Sequence, residues 1–240
     1  MNIVVSGWPG AGSSTLALLL AYNLKYKHLR GTETFRLLGQ QLGYTLTGED
    51  RIKADTYLED YWGPVYDKYV DLILTTRDGY LVESDIAAFR LGLKDNIYSI
   101  FLAPSLDSRK KRLEADGRPE EISLLEKREK ELDDQYNKLH GFHWLDINLV
   151  VEKHNLVLDT SNMGISQELE YVYVGLDKAP VNFQEIDKQF WDNGKSFYLE
   201  QLQNQGLAFT TEEIIREIVK LFPTEINNMP PELKLIACNI

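Results

Sequence analysis

The chain has 240 residues, of which 43% are hydrophobic and 26% are charged, and its formal net charge at pH 7 is −11. This composition is typical of a globular α/β protein with a sizeable core, and the acidic balance argues against a nucleic acid polymer as a partner. The single cysteine, Cys238, excludes a disulfide framework and favours a reducing, cytoplasmic location. The longest apolar run, Leu16–Tyr22, is too short to cross a membrane, and no signal peptide is expected.

The first fifteen residues have the layout of a phosphate-binding P-loop. Ile3–Val5 predict a short buried strand, Gly7–Gly12 form a glycine-rich loop, and Ser13–Thr15 open a helical pattern. Small loop residues let backbone N–H groups approach phosphates closely. The N-terminus of the helix adds free donors and a partial positive charge.

One position of this loop departs from the motif. Ser14 stands where the Mg²⁺-binding hydroxyl belongs, but Ser13 replaces the lysine that contacts the β- and γ-phosphates. Two readings stay open: a nucleotide site, or a tight strand-to-helix turn without a ligand. The glycines and the position directly after a first strand favour the nucleotide site.

The next segments predict helices and a second strand. Thr32 is expected to cap a helix that carries Arg36 in its first turns, and a long helical stretch follows with a break at Gly63-Pro64. Tyr80–Val82 predict a buried strand that ends in Glu83-Ser84-Asp85. Carboxylates at this end of a parallel strand point into a ligand crevice. The alternative is that Ser84 or Asp85 caps the following helix, and the two roles are compatible.

Two basic helices joined by a polar segment come after a third strand at Tyr98–Leu102. Ser105 is expected to cap the first of them, and the second covers about residues 120–139. This arrangement is typical of a mobile lid that closes over transferring phosphates, although basic helices are often only solvated faces. The arginines concerned are Arg109, Arg112, Arg118 and Arg128.

The C-terminal part is more acidic than the rest. A fourth strand is predicted at Asn155–Leu158, and from Asp159 onward the chain has 13 acidic and 6 basic residues. Val172–Val174 are a candidate strand, 183–203 a helix, and Thr210 or Thr211 caps a last helix. We expect a domain at 1–164 and an extension at 165–240 that provides either a contact with a protein partner or self-association.

Taken together, these segments resemble the nucleoside monophosphate kinases and, within them, the archaeal-type cytidylate kinase family, over roughly residues 1–162. The resemblance implies a P-loop nucleotide kinase fold, which is a three-layer α/β/α architecture with a parallel sheet, a helical lid at about 105–140 and a mostly helical C-terminal extension. It is carried by GWPGAGSST in the loop, ETFR at Glu33–Arg36, LVESD at Leu81–Asp85, FLAPSLDSRKKRL at Phe101–Leu113, KREKELDDQY at Lys127–Tyr136 and HNLVLDTS at His154–Ser161.

The same resemblance implies ATP and Mg²⁺ as cofactors and assigns roles to residues. Ser14 would bind Mg²⁺ with Glu83 as its partner, Arg36 would contact the acceptor monophosphate, and the four lid arginines would reach the transferring phosphoryl group. The residues implied for ATP are Gly7, Trp8, Pro9, Gly10, Ala11, Gly12, Ser13, Ser14 and Thr15.

Cations are missing from three places where the family has them. Besides Ser13, Ser84-Asp85 replaces a Gly-Arg pair that faces the acceptor, and Gln135 replaces a lid arginine. Asp85 would either accept hydrogen bonds from an amino group or a ribose hydroxyl of the acceptor, or pair with an arginine, or cap a helix. Three functions stay open: a kinase for CMP or dCMP, a nucleotide-binding pseudokinase with a protein-interaction role, and a kinase of another small metabolite.

Overall fold

The computed structural model describes residues 1–178 and 181–240. Its centre is a five-stranded sheet in the order β2-β3-β1-β4-β5, in which every pair is parallel. The strands are β1 Asn2–Gly7, β2 Lys27–Arg30, β3 Tyr80–Glu83, β4 Ile97–Leu102 and β5 Leu156–Leu158. The apolar run at the start of the chain therefore forms the middle strand, where both faces are buried.

Helices cover both faces of this sheet. The helices are α1 Ser13–Leu24, α2 Gly31–Gln41, α3 Gly48–Tyr61, α4 Gly63–Thr76, α5 Ala87–Leu91, α6 Leu106–Ala115, α7 Leu125–His140, α8 Ile147–Lys153, α9 Ile165–Gly175, α10 Phe183–Asn204, α11 Thr211–Leu221, α12 Pro223–Asn227 and α13 Pro231–Asn239. Because all connections between neighbouring parallel strands cross over through helices, the predicted three-layer α/β/α fold is confirmed.

The helices after residue 164 contribute to both main cores. On one face, α9 and α10 pack against α1, where Leu169, Val172 and Leu202 are fully buried. On the other face, α11 buries Ile215 and Ile218 against α2 and α4. None of the described helices is long and apolar enough to cross a membrane.

The edge strand β2 was not predicted from the sequence. Its four residues, KHLR, include one apolar side chain, so neither alternation nor an apolar run marks them as a strand. Pairing decides the conformation, because β2 lies between β3 and residues 207–208, with the His28 N–H donating to the Leu207 carbonyl oxygen at 2.6 Å.

Several local predictions are confirmed and two are wrong. Ser105 and Thr210 cap α6 and α11 through their side-chain oxygens, and Pro64 lies in the first turn of α4. The strand expected at Val172–Val174 is wrong, because these residues lie in α9 with Val172 facing the core. Thr32 caps no helix, because α2 already begins at Gly31.

The buried side chain of His154 connects strand β1 with helix α8. The His154 Nδ1 contacts the Val150 carbonyl oxygen at 2.8 Å, and Nε2 lies 3.1 Å from the Ser6 hydroxyl. The carbonyl contact requires a proton on Nδ1, which leaves Nε2 as an acceptor. Burial lowers the pKa of His154 to about 4, against a weaker opposing effect of the Val150 carbonyl.

Acid should therefore destabilise the fold through His154. The folded protein protonates this ring only near pH 4 whereas the unfolded chain does so near pH 6.5, so its contribution is full above pH 6.5 and is lost as the pH falls towards 4. Between pH 7 and pH 5 we expect this group to remove about 2 kcal/mol from the free energy of unfolding. Urea denaturation of His154→Gln should show a correspondingly smaller loss over that range. An equal loss in both proteins would assign the acid sensitivity to other groups.

Candidate active site

The loop between β1 and α1 leaves several backbone donors free. The Ala11 N–H closes the turn on the Trp8 carbonyl oxygen at 2.8 Å, and the Thr15 N–H starts the helix on the Gly12 carbonyl oxygen at 3.0 Å. Gly12 has a φ of 93°, a left-handed conformation that a side chain would strain. Within the described chain, no acceptor is bound by the N–H groups of Gly10, Gly12, Ser13 and Ser14.

The Trp8 side chain does not fill this loop. Its ring packs edge-on against Phe101 of β4 at 5.5 Å, and the Arg109 guanidinium lies 5.6 Å from its centre on the other side. Free donors at a helix N-terminus are the arrangement that binds phosphate, so the loop fits the predicted nucleotide phosphates.

Glu83 lies at the carboxyl end of β3, beside the start of α1. It contacts His28 Nε2 at 2.7 Å, lies 3.8 Å from Arg30 Nε and lines the same cleft as Ser14. Burial opposes ionisation of this carboxyl, but His28, Arg30 and Ser14 together hold its pKa below the ordinary value. Glu83 is therefore a carboxylate next to an exposed hydroxyl.

This pair of oxygens fits the magnesium ion that the fold implies. Mg²⁺ is bound in such sites by one or two protein oxygens together with substrate phosphates and water, rather than by a full protein cage. Accordingly, within residues 1–178 and 181–240 no group of three or more His, Cys, Asp or Glu side chains is arranged to hold a metal by itself.

Two of the predicted lid arginines lie behind the P-loop. Arg109 donates to the Pro9 carbonyl oxygen at 3.2 Å and pairs with Glu129 of α7. Arg112 donates to the Ala11 and Thr160 carbonyl oxygens and lies 3.2 Å from Glu168 of α9. Burial raises the pKa of Glu168 to about 7, while Arg112 opposes the shift. These arginines therefore hold the shape of the loop through its carbonyl groups.

The other two lid arginines are separated from each other. Arg128 of α7 lines a cleft in front of Ser13 and Ser14, and it donates to Asp55 Oδ2 of α3 at 2.9 Å. Arg118 is bound to Asp116 at 3.0 Å outside this cleft. Gln135, which stands where the family has an arginine, donates to the Thr56 carbonyl oxygen at 2.8 Å and so fixes α7 to α3.

A cleft opens in front of Ser13 and Ser14. Its walls come from α2, α3, α4, α7 and the end of β3, which places it where a phosphoryl acceptor would meet the P-loop. The side chains that line it are Val5, Ser13, Ser14, Thr32, Phe35, Asp55, Glu59, Tyr66, Asp67, Glu83, Ser84, Asp85, Ile86, Arg128, Leu132 and Tyr136, together with Gly31.

Asp85 faces this cleft without a protein partner. Neither Ser84 nor Asp85 is the N-cap of α5, which is Ile86, although the Ser84 hydroxyl accepts from the Ala87 N–H at 3.2 Å. Asp85 makes no hydrogen bond or ion pair with the part of the chain that is described. Burial raises the pKa of Asp85 to about 6, with Glu83 and Asp55 adding to the shift and Arg128 opposing it.

Arg36, the residue expected to contact an acceptor phosphate, is placed elsewhere. Its side chain is 40% exposed and donates to Glu33 at 3.0 Å, and it is not part of the cleft lining. Sequence reasoning missed Asp55, Glu59 and Tyr66, which line the cleft from α3 and α4. The i, i+4 spacing of the two acids was the available signal, because it places both on one helix face.

The chain is similar to several archaeal proteins of known name. No model of a known protein family matches the chain. A cytidylate kinase from Saccharolobus islandicus is 25% identical over 192 residues, which cover 79% of this chain and 97% of the relative. Cytidylate kinases from Sulfolobus acidocaldarius and Methanosarcina acetivorans are 26% and 25% identical over 67% and 74% of this chain and 86% and 97% of their own length. These relatives confirm the resemblance to the archaeal-type cytidylate kinases.

A solved structure shows the same fold. An uncharacterised protein from Eubacterium ventriosum superposes with a TM-score of 0.52 at 14% identity, covering 75% of this chain and 99% of the other. At this identity the likeness concerns the fold alone.

The position of Arg128 leads to a test of the lid. Because it is the cleft-lining arginine and Ser13 carries no charge, we expect Arg128→Ala to lower phosphoryl-transfer turnover by ~10²-fold, the scale of losing one preorganised charge-stabilising group. Steady-state ADP formation would measure the change. Lys130→Ala is the matched control, because Lys130 is an exposed cation on the same helix that forms no ion pair with the described part of the chain. Equal rates for both variants would remove Arg128 from the site.

Proposed function

We propose that this chain transfers the γ-phosphoryl group of MgATP to a small acceptor bound in the cleft. The observation that carries the proposal is the P-loop: free N–H donors at the start of α1, with the exposed Ser14 hydroxyl beside the ionised Glu83. Phosphoryl transfer requires little covalent chemistry from a protein, so alignment and charge stabilisation are what such a site must supply.

Each group has a role under this proposal. The loop N–H groups of Gly10, Gly12, Ser13 and Ser14 bind the phosphates of ATP, and Arg109 and Arg112 keep the loop in shape from behind. Ser14 and Glu83 would hold Mg²⁺, which when bound neutralises charge on the β- and γ-phosphates. Arg128 is poised to stabilise charge on the transferring group.

The acceptors suggested by the relatives are CMP and dCMP. All three archaeal relatives described above are named cytidylate kinase, and their similarity extends over two thirds or more of this chain. A nucleoside monophosphate would enter the cleft between α2 and α7, with its phosphate towards Ser13 and Ser14 and Asp85 towards an amino group of the base or a ribose hydroxyl.

A kinase of another small metabolite is the second candidate. It is favoured by the acidic side chains of the cleft, because carboxylates repel a phosphorylated acceptor.

A nucleotide-binding pseudokinase is the third candidate. It is favoured by the carboxylate partners of Arg109, Arg112 and Arg128, which occupy all three guanidinium groups. Exposed apolar side chains on the C-terminal helices would then serve a protein partner or self-association, notably Val174 at 76% and Trp191 at 72% exposure.

One set of measurements separates these candidates. Binding of a fluorescent ATP analogue with Mg²⁺ tests the nucleotide site directly, and ADP formation is then followed with CMP, dCMP, UMP, AMP and unphosphorylated acceptors. ADP formed with CMP or dCMP supports the family activity, and ADP formed with other acceptors alone supports another metabolite. Binding without ADP formation points to the pseudokinase, and absence of binding contradicts the proposal as a whole.

The assigned metal ligands give a further expectation. Ser14→Ala should raise the Mg²⁺ concentration for half-maximal ADP formation by about tenfold or more, because removing even an outer partner of a metal site typically costs about 10- to 100-fold in metal affinity. Ser161→Ala is the control, because this hydroxyl bonds Asp159 and the Ser105 N–H outside the cleft. An unchanged Mg²⁺ dependence in Ser14→Ala would exclude the hydroxyl as a ligand.

A further inference from the structure

The cleft in front of the P-loop is lined by acids. Its lining contains five carboxyl groups and one arginine, Arg128. A nucleoside monophosphate carries its own negative phosphate, which would have to share this space with the γ-phosphate of ATP. Like charges placed together in a partly buried site oppose binding unless cations separate them. The five acids are Asp55, Glu59, Asp67, Glu83 and Asp85.

Three of these acids are already paired. Asp55 accepts from Arg128 at 2.9 Å, Asp67 lies 2.6 Å from Arg90, and Glu83 contacts His28 at 2.7 Å. Arg128 and Arg90 therefore already have carboxylate partners. Arg90 is further bound to Asp71 at 2.7 Å, so it is held away from a ligand by two carboxylates.

Asp85 and Glu59 have no protein partner within residues 1–178 and 181–240. Both face the same cleft, from β3 and from α3. The nearby acids also affect Glu59, because burial and the charges of Asp67, Asp85 and Asp55 raise the pKa of its carboxyl group. Unpaired carboxyl groups exchange hydrogen bonds with hydroxyl and amino groups, because the ionised form accepts and the protonated form, which the raised pKa of Glu59 favours, also donates.

A buried hydroxyl points to a ligand independently of the acids. Tyr66 is 4% exposed and lines the cleft, yet its hydroxyl has no hydrogen-bond partner in the described chain. The hydroxyl lies against Gly31, where a Cβ atom would stand only 2.6 Å from the oxygen. A buried polar group without a partner is costly, so a bound molecule that bonds the Tyr66 hydroxyl would remove this cost.

We propose that the natural acceptor carries no phosphate and that its reacting group is a hydroxyl, as in a nucleoside or a similarly sized amino alcohol. This inference rests on the proposed ATP-dependent transfer and names its acceptor class. Asp85, Glu59 and Tyr66 hydrogen-bond the amino and hydroxyl groups of the acceptor. The bond from the γ-phosphorus to the β,γ-bridging oxygen breaks, a bond to the acceptor oxygen forms, and the hydroxyl proton passes through a cleft carboxylate to solvent.

A matched pair of acceptors tests the proposal on the wild-type protein. Cytidine and CMP share base and sugar and differ by the phosphate, so ADP formation with each isolates its effect. We expect kcat/KM for cytidine to exceed that for CMP by about tenfold or more, because the like charge penalises CMP. A higher kcat/KM with CMP, or ADP formation with monophosphates alone, overturns this inference and leaves the proposed function standing. Absence of ATP binding, or of ADP from every acceptor, overturns the proposed function itself.

A charge reversal provides the second test. Asp85→Arg should shift the CMP-to-cytidine ratio of kcat/KM towards CMP by about tenfold or more, since a cation then faces the acceptor. Glu152→Arg is the control for net charge, because Glu152 is an exposed acid of α8 outside the cleft. Binding of the ATP analogue reports whether Asp85→Arg folds. If it does not fold, Asp85→Asn replaces it, with a loss of kcat/KM for cytidine and little change for CMP expected. An unchanged ratio in the variant that folds contradicts the assignment of Asp85.

Discussion

The carboxylate of Glu83 connects the parts of the site. It lies at the end of β3 and meets His28 of β2 on one side and Ser14 of α1 on the other. The exposed Ser14 hydroxyl therefore has a fixed, charged neighbour, and the P-loop is tied to the sheet at the point where phosphates would lie. A buried carboxylate is stable only with such partners, which is why the missed edge strand β2 is part of the site and not only of the fold.

The lid arginines are all held by acids of the chain. Arg109 and Arg112 are paired with Glu129 and Glu168 behind the P-loop, and Arg128 is paired with Asp55 across the cleft. Ion pairs Lys127–Glu49 and Lys138–Asp60 continue this attachment along α3 and α7. Under the proposed function, phosphate oxygens would have to replace the Asp55 carboxylate at Arg128, which would couple nucleotide binding to the position of α7.

The acceptor side explains how a kinase fold can change its substrate. Relatives named cytidylate kinase share about a quarter of their residues with this chain, whereas the cleft places Asp85 and Glu59 where a phosphorylated acceptor would need cations. The P-loop presents backbone N–H groups, whereas the acceptor cleft is built from side chains. Under the proposed function, a side chain such as Asp85 would therefore alter acceptor specificity without disturbing the sheet.

The sequence by itself determined the parts of the protein that depend on local pattern. The apolar run of β1, the glycine loop, the caps at Ser105 and Thr210 and the break at Pro64 are visible because periodicity and turn chemistry act over a few neighbouring residues. The carboxyl-terminal acids of β3 could likewise be placed at the sheet edge from their position after the strand alone.

Tertiary structure decided what depends on partners distant in the chain. β2 is a strand because β3 and residues 207–208 bond to it, and Val172 is helical because α9 buries it in the core. The sequence shows that these arginines are basic, but it does not show which of them support the P-loop and which line the cleft. That difference appears only after folding, when Arg109 contacts Pro9 and Arg128 contacts Asp55. A local sequence pattern does not contain the pairing energies between residues that are many positions apart. Tertiary packing therefore decided which arginines support the loop, which arginine lines the cleft and which acids stay unpaired.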